Sequence, residues 1–373
     1  MNKLILIGNG FDLAHGMKTS YKDFLLNLLR TCVNEALDNG IHSSSDFKIK
    51  SKIGFYEKED IKAVINSPES CETVFNAFAV DDVLVSTSGE KPQKEFDAQC
   101  LNPVLRKAIN SCFKLGWVDI EQIYYDELIH IASSDAGSYD KKLNTLNSGI
   151  ESIKKSLHSY LKGLPKPIHN KFMYDVFAAP FSESEFLTDS PDLNKCDHIL
   201  MLNFNYTYTP DLYIRDLVPQ FENNPLVDSI HIHGELYKDE NPLIFGFGDE
   251  MDDHYKILEK KNDNRFLDNM KSFGYFRTDN LRKLSRFLME GEYQVQIMGH
   301  SCGLSDRVML NGIFEHDNCR SIKIFHRRKG SPFEETNYKE LTQNISRHFN
   351  KKQRMRDWVV PYRPDDFLPQ VVS

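Results

Sequence analysis

His231-Ile232-His233-Gly234 sets two imidazoles two residues apart, a spacing that puts both on one face of a strand, and follows them with a residue that lets another group come close. Three chemistries fit this pattern: a metal pair, a general base beside a structural neighbour, or two core histidines. A metal would need further ligands. Asp249, Glu250, Asp252 and Asp253 in GFGDEMDD are the nearest candidates, though acids there also suit a solvated loop, and no metal is expected.

Asn203-Phe204-Asn205-Tyr206-Thr207 leaves an apolar run with two amides on one side of the chain. An amide offers one acceptor and two donors, which suits holding a carboxamide or a water, or capping a loop at a strand end. Gly8-Asn9-Gly10 is a G-x-G, but the third glycine of a dinucleotide fingerprint is replaced by Leu13. The two glycines either turn the chain or let backbone N–H groups meet a pyrophosphate, and Phe11, Asp12 and His15 directly after them join the candidate ligand site. His15 and Tyr21 suit lid residues as well as packing.

Gly299-His300-Ser301-Cys302-Gly303 matches the G-x-S-x-G nucleophile elbow and follows an apolar strand. A hydrolase of that type needs an acid and then a histidine on later strands, and only 70 residues follow Gly303. The expected sheet mostly precedes the serine, so the elbow reading is set aside.

These stations need a scaffold that delivers them to one edge. Strands are expected at Lys3 to Ile7, His198 to Phe204, Val227 to His233, Leu243 to Phe245, Tyr293 to Met298 and Ser321 to Phe325. Helices fit after Thr19-Ser20, and at Lys141 to Leu161, Asp211 to Val218, Tyr255 to Phe273, Asn280 to Glu290 and Ser305 to Phe314. The alternation predicts one α/β domain over residues 1–373, a Rossmann-like, mostly parallel sheet with helices on both faces. A largely helical insertion is expected at about 39–165, with one helix around Glu72 to Val85. In such sheets ligands bind beyond the carboxyl ends of the strands, and each motif above follows an expected strand.

Hydrophobic residues make up 40% and charged residues 27% of the 373, enough apolar surface for a packed core and no signature of disorder. No apolar run approaches membrane-spanning length, and no signal peptide is read at the N-terminus. Seven scattered cysteines without a C-x-x-C pair argue against a disulfide framework or a zinc site, so a cytoplasmic setting is expected. The net charge of −8 disfavours nucleic acid binding by the whole surface. From Arg320 to Arg356, however, eleven Lys or Arg stand against three Glu. That segment reads as a solvated face or as an arm for nucleic acid.

GNGFDLAHG, Trp117-Val118-Asp119-Ile120-Glu121, FNYT, HIHG, FGFGDE and IMGHSCGLSD together resemble the bacteriophage abortive infection AbiH family. The likeness runs over nearly the whole chain and is poorest between about residues 40 and 110. A more distant resemblance links the same stations, in the same order, to sirtuin-like NAD-processing domains of bacterial defence proteins. By that resemblance Asn205 and His233 match catalytic residues and Gly8 and Gly10 the nucleotide loop. Phe245-Gly246 match a Phe-Gly, and Gly299 with Ser301 match a ribose- and phosphate-side loop, while Asn203 joins the ligand set. Thr207 departs from the pattern, standing where those domains carry Asp; Asp119 and Glu121 are candidates to replace that carboxylate, or to complement a helix start.

The resemblance implies an anti-phage effector that cleaves the N-glycosidic bond of NAD, its substrate, or of a related nucleotide. Alternatives are a non-catalytic nucleotide sensor and a metal-dependent hydrolase or nuclease using the His231/His233 pair. A phage trigger or partner protein and a homo-oligomer are compatible with this reading, and no membrane partner is expected.

Overall fold

The structure, a computed structural model, describes residues 1–54, 57–67, 96–116, 118–134, 139–187, 195–217, 225–248, 250, 252–328 and 336–371. Its strands, in chain order, are β1 (Asn2–Ile7), β2 (Ile41–Ser43), β3 (Phe47–Ser51), β4 (Phe96–Cys100), β5 (His198–Asn203), β6 (Leu226–His231), β7 (Tyr293–Met298) and β8 (Cys319–Phe325). The chain forms two compact units, one of Met1–Lys18, Leu164–Asp253 and Asn269–Ser373, the other of Thr19–Gly163 and His254–Asp268.

In the first unit β6, β5, β1, β7 and β8 pair in that order, all parallel. Numbered along the chain this is 3-2-1-4-5, a Rossmann-like order whose direction of winding reverses between β1 and β7. Strict alternation builds both apolar layers. Leu4, Leu6, Leu200, Leu202, Val295 and Ile297 enter one core, while Ile5, Ile7, Ile199, Met201 and Met298 enter the other. Lys3 is buried among them, its ammonium donating to Phe177 O (2.9 Å) and Ala179 O (2.6 Å) at the end of the helix Phe172–Ala178.

Expected and observed elements agree closely at Tyr293–Met298 and Asn280–Glu290. Leu243 to Phe245 is not a strand. Ile244 N donates to His233 O and Phe247 N to Asn269 O, so this segment satisfies its backbone against loops and not on the sheet. The single helix expected over Tyr255 to Phe273 is broken into helices Tyr255–Lys260 and Lys271–Gly274 with a 3-10 turn, Asn264–Phe266, between them. Asn262 adopts φ +52°, the left-handed conformation that ends helices, and Asp263 caps the turn that follows. Leu304–Asp306 is a 3-10 turn, and the α-helix expected from Ser305 begins at Arg307.

The second unit opens with the helix Tyr21–Asn39, whose cap Ser20 accepts from Asp23 N, and ends it at Gly40 with φ +80°. Its insertion is helical as expected at Pro103–Leu115, Ile120–Ser133 and Asp140–Lys162, but it also contains an antiparallel sheet of β2, β3 and β4. Asn102 joins these parts, donating to Asp46 Oδ1 (2.7 Å) and Gly149 O (3.0 Å). The helix expected around Glu72 to Val85 lies outside the described residues, as does Trp117. Among the described residues no helix is long and apolar enough to cross a membrane.

Candidate functional site

The loops after β1, β5, β6 and β7 emerge at one edge, the carboxyl end of the parallel sheet. At the reversal point the loop after β1 packs backbone to backbone on the loop after β7. Gly10 N donates to Gly299 O at 2.9 Å, Gly8 N to Met298 O at 3.2 Å and Phe11 N to Gly8 O at 2.9 Å. A Cβ at Gly8 would meet His300 Cα at 2.5 Å, and one at Gly299, where φ is +76°, would meet Phe11 N at 2.1 Å. The glycines therefore serve a close crossing of two backbones, and these three amides are committed within the protein.

On the β5 side, a polar ladder fixes the orientation of the amides. Asn203 Oδ1 accepts from Asn205 N (3.0 Å), and Asn203 Nδ2 donates to Thr207 O (2.8 Å). Those two bonds settle which end of the amide is which, so the N–H group 3.2 Å from His231 Nδ1 meets a lone pair. His231 then carries its proton on Nε2 and donates to Asp211 Oδ2 at 2.8 Å. Burial alone would raise Asp211; His231, the Ser229 hydroxyl and Lys238 together outweigh it and hold the carboxyl below its ordinary value.

Asn205 Nδ2 reaches back to Gly8 O at 2.9 Å, tying the loop after β5 to the glycine turn. Two residues on, Thr207 Oγ1 donates to Asp12 Oδ2 at 2.7 Å. Asp12 is buried, and its Oδ1 has no hydrogen-bond partner. Burial pushes its carboxyl up to about 6, against the opposing pull of Thr209, Thr207, Asn205 and His231. Asp12, in the helix Asn9–Ala14, thus sets a carboxylate against Thr207.

His233, two residues past β6, is surrounded. Its Nδ1 faces Phe204 O at 3.2 Å and so carries a hydrogen; Nε2 lies 3.2 Å from Tyr275 Oη and 3.1 Å from Asp306 Oδ1. Lys271 Nζ is 2.9 Å from the same Asp306 oxygen, and His300 Nε2 approaches Asp306 Oδ2 at 3.6 Å. Burial, and then the Lys271 charge, lower His233, while Asp306 opposes them. Burial would raise Asp306, but Lys271 and His233 overcome it and hold the carboxyl well below its usual range. The group is built for a proton at Nε2: the ring can accept one there, and Asp306 is placed to stabilise the imidazolium formed.

Other expected residues lie elsewhere. His15 is fully buried and hydrogen-bonds Phe11 O (2.7 Å) and Tyr213 Oη (2.5 Å), a packing position on the apolar side of the helix Asn9–Ala14. Gly246 faces Asn269 O, with no room for a side chain. Ser301 is exposed, and its carbonyl accepts from Asn344 Nδ2. Asp119 and Glu121 belong to the second unit, where Asp119 accepts from Gln122 N as a helix cap and Glu121 is buried in the first turn.

His231 and His233 make different contacts and do not pair on one ligand. The carboxylates that approach His231 are Asp211 and Glu235, the one cluster of metal-ligand type among the described residues, and not the acids after Gly248; Asp249 lies outside the described residues. A metal on His231 Nε2 would need the proton on Nδ1, where it would confront the Asn203 amide hydrogens, so the donor set does not fit a metal. In the basic segment Arg320 pairs with Glu292, Lys323 with Glu185 and Asp366, and Arg354 with Asp317. Six cysteines, all those described, are free thiols.

Sequence reasoning left Lys271, Tyr275 and Asp306 out of the candidate site. Lys271 falls at the end of the helix expected over Tyr255 to Phe273 and Tyr275 just beyond it, and nothing local marks either. Asp306 follows a Gly-x-Ser loop after a strand, which is a position that could have been read.

A 3-2-1-4-5 parallel sheet with its polar residues gathered at the carboxyl edge, beside the winding reversal, defines a Rossmann-like α/β protein. The bacteriophage abortive infection AbiH family matches residues 4–327, and the chain belongs to that family; its role is in abortive infection, a defence against bacteriophage. No curated protein matches the chain.

Proposed function

We propose that the protein acts in abortive infection by hydrolysing the N-glycosidic bond of NAD, or of a related nucleotide, and releasing nicotinamide. The observation that carries this reading is the setting of His233: Nδ1 lies 3.2 Å from the Phe204 carbonyl, and Nε2 lies 3.2 Å from the Tyr275 hydroxyl and 3.1 Å from the Asp306 carboxylate. That is the arrangement of a general base for a water or a ribose hydroxyl, with Tyr275 Oη in the position such a group would take. The neighbouring strand presents Asn205, whose amide suits a carboxamide or the attacking water. Nicotinamide leaves from NAD already carrying positive charge, so positioning and cation stabilisation are what the protein must add. The sirtuin-like order of motifs supports the same reading.

The test is mass spectrometry of NAD and nicotinamide in cells producing the wild-type protein or His233→Ala, with and without phage. NAD loss confined to wild type is expected, with the variant rate lower by about 10²–10⁴-fold. Unchanged NAD during intact phage protection would reject hydrolysis; nucleotide binding without turnover would make the protein a sensor.

A further inference from the structure

We propose that Asp12 is an electrostatic positioning residue, whose fixed negative charge beside the Gly8–Asn9–Gly10 loop makes the site select a nucleotide with a cationic ring over its neutral, reduced counterpart. This rests on the nucleotide reading above and narrows it to the oxidised, pyridinium class of ligand.

Asp12 is 1% exposed, and its Oδ1 lacks any hydrogen-bond partner. No ammonium or guanidinium lies in ion-pair range of it among the described residues; the titratable group facing it is His231 on β6. A buried carboxylate is ordinarily paired or protonated, because desolvating an uncompensated charge is unfavourable. This one is instead held in place. Thr207 Oγ1 donates to Asp12 Oδ2 at 2.7 Å, and Oδ1 has no hydrogen-bond partner. The carboxylate is also within the network of the functional amides, since Asn205 is bonded to Gly8 O at the start of the same loop.

A charge in so dry a place acts over several ångströms, so it favours a developing cation without touching it. Because burial moves Asp12 up to about 6, the charge is present at pH 7.5 and largely gone at pH 5.

The experiment is calorimetric titration of the full chain with carbocyclic NAD, which cannot be cleaved, and with its dihydro form. Wild type, Asp12→Asn and Thr207→Val are compared between pH 7.5 and 5, with circular dichroism as the folding check. Wild type should bind the oxidised form on the order of tenfold more tightly at pH 7.5 and lose that preference toward pH 5. Asp12→Asn should bind both forms alike at either pH. Thr207→Val keeps the charge but loses its donor, so its preference should disappear at a higher pH than in wild type. If Asp12→Asn does not fold, the wild-type and Thr207→Val profiles decide. Equal binding of both forms by wild type, or a preference that survives in Asp12→Asn, overturns the role of Asp12 while the nucleotide reading stands. Absence of binding to wild type by either form rejects both.

Discussion

Gly10 N donates to Gly299 O at 2.9 Å, joining the loops that leave β1 and β7 where the sheet reverses its winding. Two of the sequence's most conspicuous glycine motifs therefore explain each other: each is glycine because the other's backbone fills the space a side chain would need. Gly299→Ala combines a left-handed φ of +76° with a Cβ only 2.1 Å from Phe11 N, and neither can relax without moving β1. It should destabilise the protein by about 3 kcal/mol or more. Gly303, in the same G-x-S-x-G, has φ −70°, and a Cβ placed there would meet no atom nearer than 3.7 Å, so Gly303→Ala should cost under about 1 kcal/mol. Urea denaturation of the two variants checks the contrast.

His231 should be found as the Nε2–H tautomer, because Asn203 presents an amide hydrogen to Nδ1 and Asp211 an acceptor to Nε2. Nitrogen-15 chemical shifts of the ring report this directly, and an Nδ1–H tautomer would remove the argument against a metal there. His231→Ala breaks the ladder that orients Asn203, and with it Asn205 and Thr207. A loss of about 1–3 kcal/mol in stability is expected from the unpaired groups.

Much of this scaffold was legible. Residues 4–7 and 199–202 are apolar on both faces, which marks central parallel strands, while Tyr293–Met298 carries Gln294 and Gln296 on one face; the motifs fall after all three as an α/β sheet requires. That layout sets Asn205 and His233 just beyond two paired strands. What could not be read is the contact order at the edge. Lys271 reaches Asp306 across 35 residues of sequence, and Asp12 reaches Thr207 across 195, so no spacing rule connects them. The segment Leu243 to Phe245 misled for a related reason: its apolar text is that of a strand, but its backbone partners lie in loops. A short apolar run cannot tell a sheet edge from a buried loop.

Asp306 and Lys271 should be strongly coupled. Both are buried and 2.9 Å apart, so Asp306→Asn takes a carboxylate away from a buried ammonium and should cost about 3–5 kcal/mol. Adding Lys271→Met to that variant should recover part of the loss, which a double-mutant cycle measures. The sign of the pH effect is set by the depressed carboxyl: its stabilisation is present above the unfolded value of 3.8 and is lost as pH falls further, through the folded value. Acid unfolding below about pH 4 should therefore be less steep in the double variant than in wild type.

Asp12 should act on stability in the opposite direction. Its carboxyl is raised to about 6 by burial, against 3.8 unfolded, so the folded state holds the proton more firmly. The stability this contributes is present below about pH 4, declines as pH rises from about 4 to about 6, and is absent above that, a span of roughly 3 kcal/mol. Asp12→Asn removes the titration, so its stability should lack this slope and should exceed that of wild type at pH 7.5 more than at pH 4.5. Urea midpoints at the two pH values give the comparison. Equal slopes would mean that Asp12 titrates normally and is not held as an uncompensated charge. A variant that is more stable at neutral pH, yet no longer distinguishes oxidised from reduced nucleotide, would mark Asp12 as a carboxylate kept for its ligand at the expense of the fold.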